Sequence, residues 1–310
     1  MKLGSAPDSW GVWFPDDPQQ TPWERFLDEV AAAGYTRIEL GPYGYLPTDP
    51  ARLQDELGKR GLEMTAGTIF EHLHRPDSWD STWQGVSAAA SLTAAMGARH
   101  LVVIPDFWRD PSTGAVIEEA QLTDEQWTPY ARSIDRLARQ VLDEFGLQVQ
   151  FHPHADTHVD THENVERFLE ATDPSLVTLC LDTGHISYCG GDNLKLIQDY
   201  PGRIGYVHLK QVDPAVVDQA HAEGIGFGAA VRLGAMCEPP LGIPEMPPIL
   251  EALSALDAEL FAIVEQDLYP CLPDQPFPIA KRTYDYITTC GGVPQVAQTR
   301  RPPPHVERSS

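Results

Sequence analysis

Four tripeptides end in side chains that bind metals: Gln150-Phe151-His152, Cys180-Leu181-Asp182, Tyr206-Val207-His208 and Ile263-Val264-Glu265. Each closes a short apolar run, so each puts an imidazole or a carboxylate where an extended segment stops. Two imidazoles and two carboxylates suit one borderline or hard divalent ion. Mn²⁺, Co²⁺, Zn²⁺ and Mg²⁺ all suit this donor set, with Mn²⁺ or Co²⁺ the cofactor expected to support turnover. A carboxylate withdrawn from water needs a partner, a second reason to expect a cation among these four residues.

His154 follows His152 by two positions, and Lys210 follows His208 by two, so alternation along an extended chain turns each pair to one side. Of the two histidines one would ligate and the other transfer protons. His152 aligns with Asp182 and His208 and is the expected ligand, although His154 could exchange roles with it. Lys210 would polarise a developing enolate, or shuttle a proton if its pKa is lowered; alternatively it pairs with an acid such as Glu39 or Asp267.

These side chains share one mouth only if the runs they end are neighbouring strands. Eight runs qualify: Lys2 to Pro7, Thr36 to Leu40, Leu62 to Thr68, His100 to Ile104, Leu147 to His152, Val177 to Asp182, Ile204 to His208 and Phe261 to Glu265. They alternate with helical patterns, the signature of a parallel α/β sheet, and eight repeats predict a single (β/α)8 TIM barrel over residues 1–294. Such a barrel presents its reactive groups at the C-terminal ends of the strands. Helix boundaries are marked by Thr21-Pro22 with Glu24, Asp49-Pro50 and the box Thr123 to Gln126, and by Gly34, Gly61, Gly97 and Gly146 at the far ends. Two stretches break the pattern. Gln211 to Pro244 reads as a long loop between the seventh and eighth strands, on the active-site face and suited to a lid. The polar, proline-rich tail from about Gln295 to Ser310 reads as disordered.

The formal charge is -23, from 45 acidic and 22 basic side chains, which opposes a phosphate backbone and excludes nucleic acid as the expected partner. No apolar stretch is long enough to span a bilayer, and Met1 to Trp10 lacks the pattern of a secretory signal, so a cytoplasmic location is expected. The five cysteines are scattered and never form CxxC, which suggests neither a disulfide framework nor a thiolate zinc site. There is no Walker-type loop and no GxGxxG between a strand and a helix. Oligomeric state is not legible; a homo-oligomer is compatible with everything above. Trp10, Trp13, Phe14, Tyr43, Tyr45, Phe107 and Trp108 follow candidate strands and could wall a ring-shaped ligand, with Trp10, Glu39 and Trp108 the expected substrate contacts. His72 and His74 line the mouth or are solvated, and His158 and His162 stand further out.

The chain resembles the xylose isomerase-like TIM barrels, through Leu181-Asp182-Thr183-Gly184-His185, Val207-His208-Leu209-Lys210 and Val264-Glu265-Gln266-Asp267. Within that superfamily it is similar to the inosose dehydratases, through Ser5-Ala6-Pro7-Asp8-Ser9-Trp10, Gly34-Tyr35-Thr36-Arg37-Ile38-Glu39-Leu40-Gly41 and Phe151-His152-Pro153-His154 to Glu166-Arg167-Phe168. The resemblance implies Asp182, His208 and Glu265 as metal ligands and His185 in contact with substrate hydroxyls. Sugar epimerases of the superfamily usually carry a glutamate where His152 stands and pair it with the eighth-strand glutamate; that pair is incomplete here. Dehydration of a keto-cyclitol such as 2-keto-myo-inositol is therefore the expected reaction, with His154, His185 and Lys210 as the candidate proton-transfer groups. The alternatives are a keto-sugar isomerase or epimerase acting on a similar small polyol, and a sugar-binding barrel without turnover.

Overall fold

β-Branched and aliphatic runs become strands at all eight expected places: β1 (Lys2–Ser5), β2 (Arg37–Glu39), β3 (Glu63–Glu71), β4 (His100–Pro105), β5 (Gln148–Phe151), β6 (Val177–Asp182) and β7 (Ile204–Leu209), followed, after a two-stranded ribbon of β8 (Gln211–Val212) and β9 (Met236–Cys237), by β10 (Phe261–Val264). The computed structural model describes residues 1–75, 78–256 and 258–291, so the tail expected from Gln295 lies outside the described residues. All eight barrel strands are parallel. The sheet closes because β1 pairs with β2 through Ser5 and Ile38 and with β10 from Lys2 and Phe261 to Ser5 and Val264.

Alternation along each strand divides the core in two. Leu179, Leu181, Val207, Ala262 and Val264 face the helices, whereas Cys180, Tyr206 and Ile263 fill the barrel lumen with Ala66, Val102 and Ile104. Two residues beyond each of the first three lumen positions stand Asp182, His208 and Glu265, and Gln150 precedes His152 in the same way. The two-residue period thus carries all four ligand-type side chains into the lumen at its C-terminal end. Register sets their heights: Asp182 pairs with His208, and His208 with Ile263.

Most helix signals behave as read. Asp49 accepts the Arg52 N–H, Thr123 and Gln126 form a capping box, and Gly34, Gly61 and Gly146 are left-handed C-caps. The first helix is an exception. It begins at Trp23 with no side-chain cap, because Thr21 is buried in the turn, where its carbonyl accepts the Tyr45 hydroxyl at 2.9 Å. No helix among the described residues is long and apolar enough to cross a membrane.

The segment Gln211 to Pro244 is not a loop. The β8–β9 ribbon frames two helices, Pro214–Glu223 and Phe227–Arg232, around their own apolar cluster of Val212, Val217, Ala220, Phe227, Ala230 and Met236. Asp213 caps the first of these helices, Pro214 opens it and Gly224 ends it, the same punctuation as at Asp49-Pro50 and Gly61. High glycine and alanine content hid a compact unit whose small side chains let the two helices pack closely.

Candidate metal centre at the barrel mouth

Asp182 is fixed first. As N-cap of the short helix Thr183–Tyr188 it accepts the N–H groups of Gly184 and His185 on Oδ1, both at 2.8 Å. Oδ2 is left facing the lumen, 3.2 Å from His152 Nε2, 3.1 Å from Lys210 Nζ and 3.6 Å from His208 Nδ1. His208 in turn donates its Nε2–H to Glu39 Oε1 at 2.6 Å, while Glu39 Oε2 accepts the Thr68 hydroxyl at 2.9 Å. This carboxylate holds the Nε2–H, so the neutral ring has its lone pair on Nδ1, 2.9 Å from Glu265 Oε2. Against burial, the surrounding acids raise the imidazole well above its usual range, which favours a positive charge at that nitrogen. A buried lone pair facing two carboxylate oxygens is repulsive unless a proton or a metal cation lies between them. Ligand atoms of His152, Asp182, His208 and Glu265 lie within 4.8 Å of one another, so the four fit a divalent ion. Cys180 is within reach of the same imidazoles, but burial pushes its thiol up to about 12, and the carboxylates are the better donors at neutral pH.

Charge makes the same demand. Asp8, Glu39, Asp182, Glu265 and Asp267 converge on a mouth where, among the described residues, Lys210 is the one ammonium facing them. Its Nζ stands 3.0 Å from Asp267 Oδ2 and 3.1 Å from Glu265 Oε2. Burial opposes the charge on Lys210, but Asp182, Asp267 and Glu265 outweigh it and hold the ammonium well above its usual range. Burial likewise opposes the Glu265 carboxylate, and His208 and Lys210 bring it down to about 2. In Asp8 burial wins, reinforced by Glu265, and the carboxyl is raised well above its usual range. Asp267 is raised by burial despite Lys210. The stem of Lys210 crosses directly over Gly184, where a Cβ would lie 2.7 Å from both its Cβ and Cγ; only glycine leaves that path open.

Beside the ligands the Ala155 peptide orients two further imidazoles. Its carbonyl accepts the His154 Nδ1–H at 2.8 Å and its N–H points at His185 Nδ1 at 3.4 Å, so the rings lie 3.8 Å apart. Burial, with His152, lowers His154 to about 3, and burial with His154 lowers His185 well below its usual range; both rings are neutral. These groups form one end of a cavity of about 450 Å³ whose wall includes Trp13, Phe14, Tyr43, Phe70, Phe107 and Phe227.

Residues 27–276 match the family pattern described as xylose isomerase-like TIM barrel. The chain belongs to that family. It is 30% identical over 296 residues to an inosose dehydratase of Geobacillus thermodenitrificans, covering 94% of this chain and 98% of the relative. It is 31% identical to an inosose dehydratase of Geobacillus kaustophilus over 93% and 94% of the two chains. Among solved structures, the IOLI protein with a bound zinc atom superposes with a TM-score of 0.69 at 16% identity, covering 94% of this chain and 99% of that one. A probable 3-DHS dehydratase of Bacillus anthracis, AsbF, gives 0.70 at 16% identity, covering 93% and 99%.

This xylose isomerase-like barrel brings His152, Asp182, His208, Glu265, His154, His185 and Lys210 together at one end of the cavity. Two expected substrate contacts fall elsewhere. Trp10 is fully buried, donates Nε1–H to Glu29 at 2.9 Å and meets Phe26 edge-on, because the turn Pro7–Trp10 directs Asp8 to the mouth and the indole to the helix layer. Trp108 carries the Arg109 guanidinium on its ring, and its neighbour Phe107 lines the cavity instead, because the strand ends at Pro105 and the chain bends at Trp108. Glu39 reaches the cavity with both oxygens engaged, so its contact is with His208. Of the two partners considered for Lys210, it is Asp267 that pairs with it. Asp8 and Phe227 were not singled out. Asp8 lies three residues past β1 in the turn Pro7–Trp10, and Phe227 lies in the insertion, so strand periodicity signals neither.

Proposed function

We propose that the protein is a metal-dependent dehydratase of a keto-cyclitol such as 2-keto-myo-inositol. The observation that carries this reading is the near full-length similarity to inosose dehydratases, in a chain whose mouth holds a neutral imidazole and an ammonium beside a candidate cation site. His152, Asp182, His208 and Glu265 would hold the ion, which, when bound, supplies Lewis-acid stabilisation of charge developing on a ketone oxygen. His154 gives its Nδ1–H to the Ala155 carbonyl, which leaves the lone pair on Nε2 to take the proton from the carbon next to the ketone. That C–H bond breaks, the carbon–carbon double bond forms, and the β-carbon–oxygen bond breaks. Lys210 gives a proton to the departing hydroxyl, which leaves as water, and exchange with solvent returns His154 and Lys210 to their starting states. Held as an ammonium, Lys210 has a proton to give, and His154, held neutral, has a lone pair to receive one; these protonation states are what suit the first to the acid role and the second to the base role. Asp267 and Asp8 orient the ammonium, and the aromatic wall shields the enolate from water.

Mass spectrometry of the product from 2-keto-myo-inositol, with Mn²⁺, Co²⁺ or Zn²⁺ supplied in turn, tests the reading. Loss of one water, stopped by chelation, is expected. A metal-dependent product of unchanged mass would move the protein to the isomerases and epimerases, and binding without turnover of any polyol ketone would make it a binding barrel.

A further inference from the structure

A second cluster of ligand-type side chains stands at the rim, outside the centre described above. His74 follows β3, Glu118 lies between β4 and the helix Asp124–Phe145, and His158 follows β5; their ligand atoms lie within 4.8 Å of one another. His158 is 1% exposed. Its Nδ1–H donates to the Ala120 carbonyl at 3.0 Å, which leaves the lone pair on Nε2. That atom is buried without a hydrogen-bond partner and stands 3.5 Å from Glu118 Oε1, which is 2.8 Å from His74 Nε2. Tetrahedral zinc with bonds of about 2.0–2.1 Å separates neighbouring ligands by roughly 3.3 Å, so the two spacings bracket the value for a shared ion. The second-shell carbonyl, the orphaned imidazole nitrogen and the facing carboxylate are the features that orient a histidine toward a metal. Arg75 now stands where positive charge is wanted, with Nη2 3.2 Å from Glu118 Oε1 and Nε 3.3 Å from His74 Nε2, on a side chain exposed enough to swing away.

We propose that His74, Glu118 and His158 form a second divalent-cation site, selective for zinc, that ties three βα loops together at the mouth. Two imidazoles and one carboxylate favour zinc over the harder ions. The site would brace the loop that carries Phe107 into the cavity wall. The test is a zinc titration of the chelator-stripped full chain against a chromophoric competitor, with elemental analysis of stoichiometry. His158→Ala should bind one equivalent fewer than the unaltered chain, and Asp182→Asn should retain this equivalent. Arg75→Ala should tighten it about tenfold by removing the competing charge. Equal numbers of tight equivalents in the His158→Ala and unaltered proteins would overturn the proposal, as would an Arg75→Ala protein that melts earlier with unchanged zinc affinity. Should circular dichroism show His158→Ala misfolded, Glu118→Gln is read in the same way.

Discussion

Glu39 gives the sharpest test of how the candidate centre is built, because it acts on the ion only through His208. The 2.6 Å hydrogen bond from His208 Nε2–H to the Glu39 carboxylate selects the tautomer that leaves Nδ1 free. A hydrogen bond to a charged group contributes about 1.5–3 kcal/mol, against about 0.5–1.5 for a neutral one, so Glu39→Gln loses roughly 1.5 kcal/mol of this orientation. That corresponds to about tenfold in affinity, the lower end of the loss expected for a second-shell partner. Glu39→Ala removes the acceptor altogether and lets the ring present Nδ1–H to the ion, so a loss beyond about a hundredfold is expected. The assay is metal affinity by chelator competition, beside KM and kcat at saturating metal. Should Glu39→Gln bind metal as tightly as the unaltered chain while KM alone rises, Glu39 would be a substrate contact and the tautomer argument would be wrong.

Asp182→Asn keeps an oxygen for the Gly184 and His185 N–H groups but removes the charge, so the fold should survive while the metal equivalent of this centre and the activity vanish; metal stoichiometry and circular dichroism decide it. Gly184→Ala should push the Lys210 stem aside and lower kcat while metal binding persists, which single-turnover kinetics can separate. Phe227→Ala, in a nearly buried wall position, should cost about 3–5 kcal/mol by urea denaturation and weaken substrate binding. Burial, helped by Arg99, lowers His100 to about 4. The unfolded chain therefore takes up the proton first as pH falls, so this stability is complete above about 6.5 and is lost as pH falls through about 4; it is on the order of 3 kcal/mol. His100→Gln should flatten the acid limb of stability between those pH values.

What was legible in the sequence followed from a period of two. Residues such as Cys180 and Asp182, or Tyr206 and His208, must share a face of their strand, and a closed parallel barrel turns that face into the lumen, so the convergence of the four candidate ligands could be read before any geometry was known. Trp108 keeps the phase of Val102 and Ile104 but lies beyond the end of β4, where the chain bends and the rule no longer applies, so Phe107 lines the cavity in its place. Trp10 lies past its strand in the same way: the chain leaves β1 through a tight helical turn, and periodicity from the strand no longer applies. Roles were less legible than places, since acidity depends on neighbours from distant strands. Lys210 is held as an ammonium because Asp182, Asp267 and Glu265 surround it, and His154 is held neutral by burial with its Nδ1–H on the Ala155 carbonyl, and the proposed acid and base roles rest on these states. None of these contacts except that to Ala155 is local in sequence. A reading of proton-transfer roles therefore requires the closed barrel, whereas a reading of candidate ligands requires only the strands.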